Sequence, residues 1–369
     1  MRKIFGFALA AAMLVGCGSN TKYTIKGESE KFAGKYAYLQ VEQGKELQTI
    51  DSVAVVGNAF TLTGEVEAPY AAYVVIKDAG AQRPEMYAEF FVEAAEITIE
   101  EVEGTRPSFK AVGGELNNQM NQINDSLKGI EERINAAAKA GDSTAEAAAE
   151  AEYYAALYNA IIANNGNLLS QDILRSNYYA FEPQQVIDAI DAIDAMPADV
   201  QPDFEKMKTN AQQALKVMPG NPYIDITEEG TGEQPQTLTP EGKVLTLKSV
   251  IENKANKYVL IDFWASWCGP CMREVPYLVD TYKKYHKKGF EIYGVSFDRA
   301  REPWLKAIKE KELDWVHVSA VNYWDNKARY DYAVNSIPAN FLVDCATGKI
   351  IAKGLRGDQV AAKMAELLD

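Results

Sequence analysis

Cys268 and Cys271 stand two residues apart in the run Trp267-Cys268-Gly269-Pro270-Cys271. Two thiols at that spacing can interconvert between a dithiol and a disulfide, with a rate set by the thiolate character of the attacking sulfur. The surrounding elements decide that character. Residues 259–264 are an apolar run of strand length, and residues 272–288 carry apolar side chains at helical spacing. The pair therefore belongs at a strand-to-helix junction. There Cys268 meets unpaired backbone N–H groups and the positive end of the helix dipole, which favour a thiolate. Cys271 lies one turn further on and is expected to be the more buried thiol. Pro270 removes an N–H that would be orphaned in the first turn. Trp267 can shield the sulfur and shape a contact surface. The C-x-x-C spacing also suits zinc, but a zinc site needs a second Cys or His pair, and His286 and His317 stand separate and alone. Redox chemistry is the reading that survives, and it calls for no cofactor and no metal.

Two further cysteines need an account. The chain opens with Met1-Arg2-Lys3 and continues with an apolar stretch over 4–15. That stretch is too short to span a bilayer and has the pattern of a secretory signal. It ends in Leu14-Val15-Gly16-Cys17, which resembles the bacterial lipobox. The expectation is cleavage before Cys17, lipidation of Cys17, and a protein anchored in the bacterial cell envelope, facing the periplasm; several acyl chains give stable anchoring where one does not. Cys345 lies in Asp344-Cys345-Ala346-Thr347-Gly348, a turn sequence, and reads as an adventitious turn residue rather than a third redox thiol.

Charge is unevenly spread. Residues 17–219 hold 16 basic and 31 acidic side chains, whereas residues 220–369 hold 20 and 21. An acidic front half lacks the basic patches that phosphate backbones require, so nucleic acid is excluded as a partner. Asp188, Asp191 and Asp194 share roughly one helical face and could meet a hard cation, but a solvated face is the simpler reading.

The chain must be multidomain. After the signal peptide (1–16), residues 17–112 show short β-rich runs punctuated by Gly44, Gly57, Gly64 and Gly80, which predicts an N-terminal antiparallel β-sandwich. This part resembles the uncharacterised β domain found ahead of thioredoxin-like domains in exported bacterial lipoproteins. From Gly113-Gly114 the period becomes helical, and residues 113–219 read as a central α-helical region in which Ser143 and Glu146 have capping-box spacing. Residues 220–369 alternate strand and helix and close on a hairpin and a helix, the order of an α/β thioredoxin-like domain.

The resemblance is specific within residues 221–369. Phe263-Trp264-Ala265-Ser266-Trp267-Cys268-Gly269-Pro270-Cys271, with Glu274, Pro276 and Ser336-Ile337-Pro338, resembles the TlpA/ResA-like (AhpC/TSA-type) branch of the thioredoxin superfamily. It implies that Cys268 is the nucleophile and Cys271 the resolving thiol of a redox-active disulfide. It implies that Asp262 faces the core with a raised pKa and exchanges a proton with Cys271, that Glu274 tunes the thiols, and that Pro276 kinks its helix. Ile337-Pro338 then matches the cis-proline loop opposite the dithiol, where a substrate chain pairs as a short strand. The activity implied is thiol–disulfide exchange with protein disulfides or dithiols, in the reducing direction, with electrons from an unidentified donor. Two other readings compete. The AhpC/TSA label suggests a thiol peroxidase, although Ala265 stands where such enzymes carry Thr. A partner-binding lipoprotein with a secondary redox domain would explain the large front half. The sequence leaves the oligomeric state open.

Overall fold

The computed structural model describes residues 21–369 apart from 44–45, 82–84, 103–107, 165, 194–195, 197–199 and 231–234. The signal-like segment with Cys17, the turn residue Gly44 and the carboxylate Asp194 lie outside the described residues. The chain divides into two compact units, one ending at Ala180 and the other spanning Phe181–Asp369.

The first unit opens with β1 (Lys22–Glu28), β2 (Tyr36–Gln43), β3 (Glu46–Ala54), β4 (Ala59–Glu65), β5 (Tyr70–Lys77), β6 (Met86–Val92), β7 (Glu96–Val102) and β8 (Ser108–Val112). They form two four-stranded sheets, in the orders β4-β1-β7-β8 and β3-β2-β5-β6. Alternation sets the inner faces: in β1, Tyr23 and Ile25 are buried while Lys22 and Lys26 are exposed. Ile25, Leu62 and Ile97 from one sheet and Leu39, Val74 and Phe90 from the other belong to one apolar core. The sandwich departs from the expected all-antiparallel pairing in one place, because β1 and β7 run parallel. The long excursion through β2–β6 supplies the crossover that a parallel pair requires.

Helices α1 (Glu115–Ala140), α2 (Ser143–Ala163) and α3 (Leu168–Asn177) complete this unit. Gly114 gives α1 no side-chain cap. Buried Glu93, just beyond β6, takes that place: its carboxylate accepts from the amides of Glu115 (2.9 Å) and Leu116 (3.0 Å). The cap of α2 is Asp142, which accepts from the amide of Ala145 at 3.0 Å, one residue ahead of the Ser143 box expected from sequence.

The second unit begins with α4 (Pro183–Asp191) and α5 (Gln201–Lys216), then α6 (Leu247–Ile251), β9 (Tyr258–Trp264), α7 (Gly269–Tyr285), β10 (Phe290–Ser296), α8 (Arg301–Glu310), β11 (Val316–Ser319), α9 (Lys327–Asp331), β12 (Ala339–Asp344), β13 (Lys349–Lys353) and α10 (Asp358–Leu368). The helical stretch expected over 113–219 is thus shared between the two units. Val217, just past α5, is buried in the core of the second, and Gln213 donates to the Asp331 carbonyl at 2.6 Å. The sheet order is β11-β10-β9-β12-β13. β9, β10 and β11 are parallel, and β12 is antiparallel to both β9 and β13. Every residue of β10 and all but the first of β9 are buried, which explains why these strands are continuous apolar runs rather than alternating ones.

Candidate active site

β9 ends at Trp264, and the next four residues carry the chain into α7, with Cys268 as the residue capping that helix. Cys268 and Cys271 are joined as a disulfide. The Cys271 amide donates to Cys268 Sγ at 3.1 Å. This helix-start geometry favours negative charge on the outer sulfur once the bond is reduced. As whole residues the two cysteines are equally enclosed, at 4% and 3% exposure, so burial alone does not separate their roles as expected. Ser266, in the turn before Trp267, is fixed by the fully buried Asp298, which accepts from both its amide and its hydroxyl. Ser296 donates to the same carboxylate at 2.7 Å. Asp298 therefore sets the turn that presents Cys268, and nothing local in the sequence marked it.

The Ile337–Pro338 bond is cis, and the Ile337 carbonyl lies 3.6 Å from Cys268 Sγ. Trp267, 47% exposed, packs against Tyr323 with ring centroids 5.3 Å apart, and the Arg299 guanidinium lies 3.7 Å from the Tyr323 ring centroid. An aromatic and cationic lip thus borders the disulfide. Pro276 lies inside α7, and Gly269 and Pro270 form its first turn.

Behind the disulfide is a cavity of about 10 Å³ lined by Asp262, Cys271, Glu274, Trp264, Trp315 and Pro338 among others, the space of roughly one water-sized sphere. Asp262 is buried, and burial pushes its carboxyl up to about 7; Arg356 draws it down and Glu274 adds to the rise. Glu274 accepts from the Gly357 amide at 2.7 Å. Gly357 has φ +52, a conformation that suits glycine. Arg356 donates to the carbonyls of Pro338 and Leu355. The structure thus brings Asp262, Cys271, Glu274 and Pro338 around one cavity and adds Arg356, which sequence reasoning missed. Its only local signal is a lone Arg between Gly354 and Gly357, 94 residues away from Asp262 in the chain.

Of the other candidates, His317 packs against two walls of this cavity, Trp264 and Trp315, with ring centroids 5.5 Å apart in each pair. Cys345 follows β12 at the end where Asp344 pairs with Tyr258, whereas Ala339 at the other end pairs with Phe263. Five residues of strand, about 17 Å, separate these ends. Burial pushes the Cys345 thiol up to about 11, which keeps it protonated at neutral pH. His317 is buried in β11, where burial lowers its pKa to about 4, and its Nε2 faces the Leu313 carbonyl at 3.1 Å. His286 stacks on Tyr282 at 4.5 Å. Asp188 accepts from Gln184 at 2.8 Å and Asp191 pairs with Lys208, so these two carboxylates already have partners.

Comparison with known proteins agrees with this geometry. Residues 256–350 match the family described as thioredoxin-like, and residues 23–120 match a domain of unknown function, DUF4369. The thiol-disulfide oxidoreductase ResA of a Bacillus cereus strain is 32% identical over 124 residues, covering 34% of this chain and 66% of that protein. ResA of Geobacillus kaustophilus is 35% identical over 125 residues, covering 33% and 70%. The chain belongs to the ResA-like thiol–disulfide oxidoreductases. A solved thioredoxin domain of a thiol-disulfide oxidoreductase from Bacteroides vulgatus shares 35% identity, covers 41% of this chain and 99% of its own, and has a TM-score of 0.36. The chain spans about two thirds of the length of the curated ResA proteins it matches, and the match takes in about a third of this chain. The ResA-like part thus carries the Cys268–Cys271 pair and the Ile337–Pro338 loop, while the first unit carries the domain of unknown function.

Proposed function

We propose that this protein is an exported, lipid-anchored oxidoreductase that reduces protein disulfides through Cys268 and Cys271. The observation that carries the reading is the Cys268–Cys271 pair capping α7 with the Ile337 carbonyl 3.6 Å from Cys268 Sγ. A partner chain lying along Ile337 would place its disulfide over that sulfur. The Cys268 thiolate attacks one partner sulfur and displaces the other as a thiolate. Asp262 accepts the Cys271 proton, and the Cys271 thiolate then attacks Cys268 Sγ. The bond from Cys268 to the partner breaks, the partner sulfur that Cys268 had attacked leaves with the electron pair, and the disulfide seen here is the product. Glu274 tunes the charge at Asp262, while Trp267, Gly269, Pro270, Ile337 and Pro338 form the contact surface. An external dithiol donor must then reduce the disulfide for the next cycle.

The domain reading is a signal peptide over 1–16, a β-sandwich over 17–112, a helical region over 113–219 and the redox domain over 220–369, with Cys17 holding the whole to the envelope membrane. No helix among the described residues is long and apolar enough to cross a membrane. Prereduced full chain mixed with insulin should release insulin thiols, one disulfide reduced per chain; no release would overturn the reading. Replacing Cys17 by Ala should move the protein from the membrane to the soluble fraction after cell breakage. Retention of Cys17→Ala on the membrane would remove the anchor from the account.

A further inference from the structure

We propose that Arg356 is a positioning residue for the exchange reaction: its guanidinium holds the Pro338 carbonyl and supplies the positive charge that keeps Asp262 able to take the Cys271 proton. The inference rests on the reading of Asp262 as that proton acceptor.

The placement is built from three directions. Asn340 lies directly opposite Asp262 in the antiparallel β9/β12 ladder, so the two side chains stand side by side on one face. The Asn340 side chain grips Leu355 at both main-chain groups, donating to its carbonyl at 2.8 Å and accepting from its amide at 2.9 Å. The Gly354 amide donates to the Asn340 carbonyl at 2.9 Å. On the far side the Gly357 amide donates to Glu274. Arg356 is thus clamped between two anchors, with its guanidinium on Pro338, which lines the same cavity as Asp262 and Cys271.

Two charged groups act on Asp262, and His317, in register with it across Gly294, is held neutral at pH 7 because burial lowers its pKa to about 4. Arg356 approaches from the turn before α10 and Glu274 from α7, and the two act on its carboxyl in opposite senses. Apart from Asp262, Glu274 and the Cys271 thiol, the cavity is lined by Trp264, Val275, Leu278, Leu313, Trp315 and Pro338, which carry no charge. In surroundings walled mostly by apolar side chains a single guanidinium has a large influence, because the local dielectric is low. Losing it leaves Glu274 unopposed.

The test uses prereduced full chain and dithiobis(nitrobenzoate). The first thionitrobenzoate released reports attack by Cys268, and the second reports attack by Cys271. In the wild type the second phase accelerates with pH as Asp262 ionises. Arg356→Met and Arg356→Gln should each move that midpoint up by about one pH unit, which is about a five-fold slower second phase at pH 7. Arg356→Lys should bring the midpoint back toward the wild-type value. In an Asp262→Asn background, Arg356→Gln should cause no further shift. If Asp262→Asn itself leaves the pH dependence intact, Asp262 is not the proton acceptor and the underlying reading fails. If Asp262→Asn removes the pH dependence but both uncharged Arg356 variants keep the wild-type midpoint, the role of Arg356 alone is overturned. A shift of equal size with and without Asp262 overturns it as well. Gln retains a donor for Pro338, so the test stands even if the Met variant fails to fold.

Discussion

Replacing Cys268 by Ala should abolish insulin-disulfide reduction, a loss of about three orders of magnitude or more above the dithiothreitol background, and Cys271→Ala should do the same. The two thiols act as a unit, so the double variant should be no worse than either single one. The reason is electron balance: one thiol can form a mixed disulfide, but only the second can release the partner and carry the electron pair away. Cys345 stands at the opposite end of the β9/β12 pair, in a setting that keeps its thiol protonated, so Cys345→Ala should keep the wild-type rate. Insulin turbidity with dithiothreitol as donor measures all four variants. A surviving rate in either active-site variant, or a collapse in Cys345→Ala, would refute the assignment of the pair.

Asp262→Asn should make the second unit more stable and slower. Burial raises the Asp262 carboxyl from its ordinary 3.8 to about 7 in the folded protein. Between those values the folded state holds a proton that the unfolded state has lost, so stability falls as pH rises from about 4 to about 7. Above pH 7 the folded protein carries a buried carboxylate at a cost of up to about 4 kcal/mol. Asn removes that cost. The variant should gain about 2–4 kcal/mol over wild type at pH 8 and little at pH 4, below which the two curves converge. All five tryptophans lie in the second unit, so urea unfolding read by tryptophan fluorescence follows that unit. The same change should slow the Cys271 step at least ten-fold at pH 7, because a neutral amide cannot take the thiol proton. Equal stability of the two proteins at pH 8 would show that Asp262 is not held at a cost, and with it would go the physical reason for its high proton affinity.

The strands and helix around the dithiol were legible because every local signal agreed there. The apolar run 259–264 is β9, the helical spacing after Cys268 is α7, and the final helix appears as α10 over Asp358–Leu368. β3 is poorly marked in the sequence because it is an edge strand with both faces largely exposed, including Leu47 and Ile50, so it has no inward-facing alternation to read. The cap of α1 was missed because Glu93 reaches it from 22 residues upstream. The site followed the same rule. Cys268, Cys271 and Ile337–Pro338 announce themselves by spacing. Asp298 and Arg356 make contacts that only the tertiary fold creates, the former with the turn before Cys268 and the latter with Pro338. The division of the helical stretch after Ala180 was equally invisible, since which unit a helix packs with depends on contacts distant in the chain, such as that of Gln213 with Asp331.

The most direct measurement is the mass of the adduct formed when reduced Cys271→Ser full chain meets an oxidised peptide disulfide. Without Cys271 the mixed disulfide cannot resolve. Proteolysis and mass spectrometry should place the captured peptide on Cys268, at one per chain, with Cys345 unmodified. Capture on Cys345, or no stable adduct while wild type reduces the same peptide, would contradict the account.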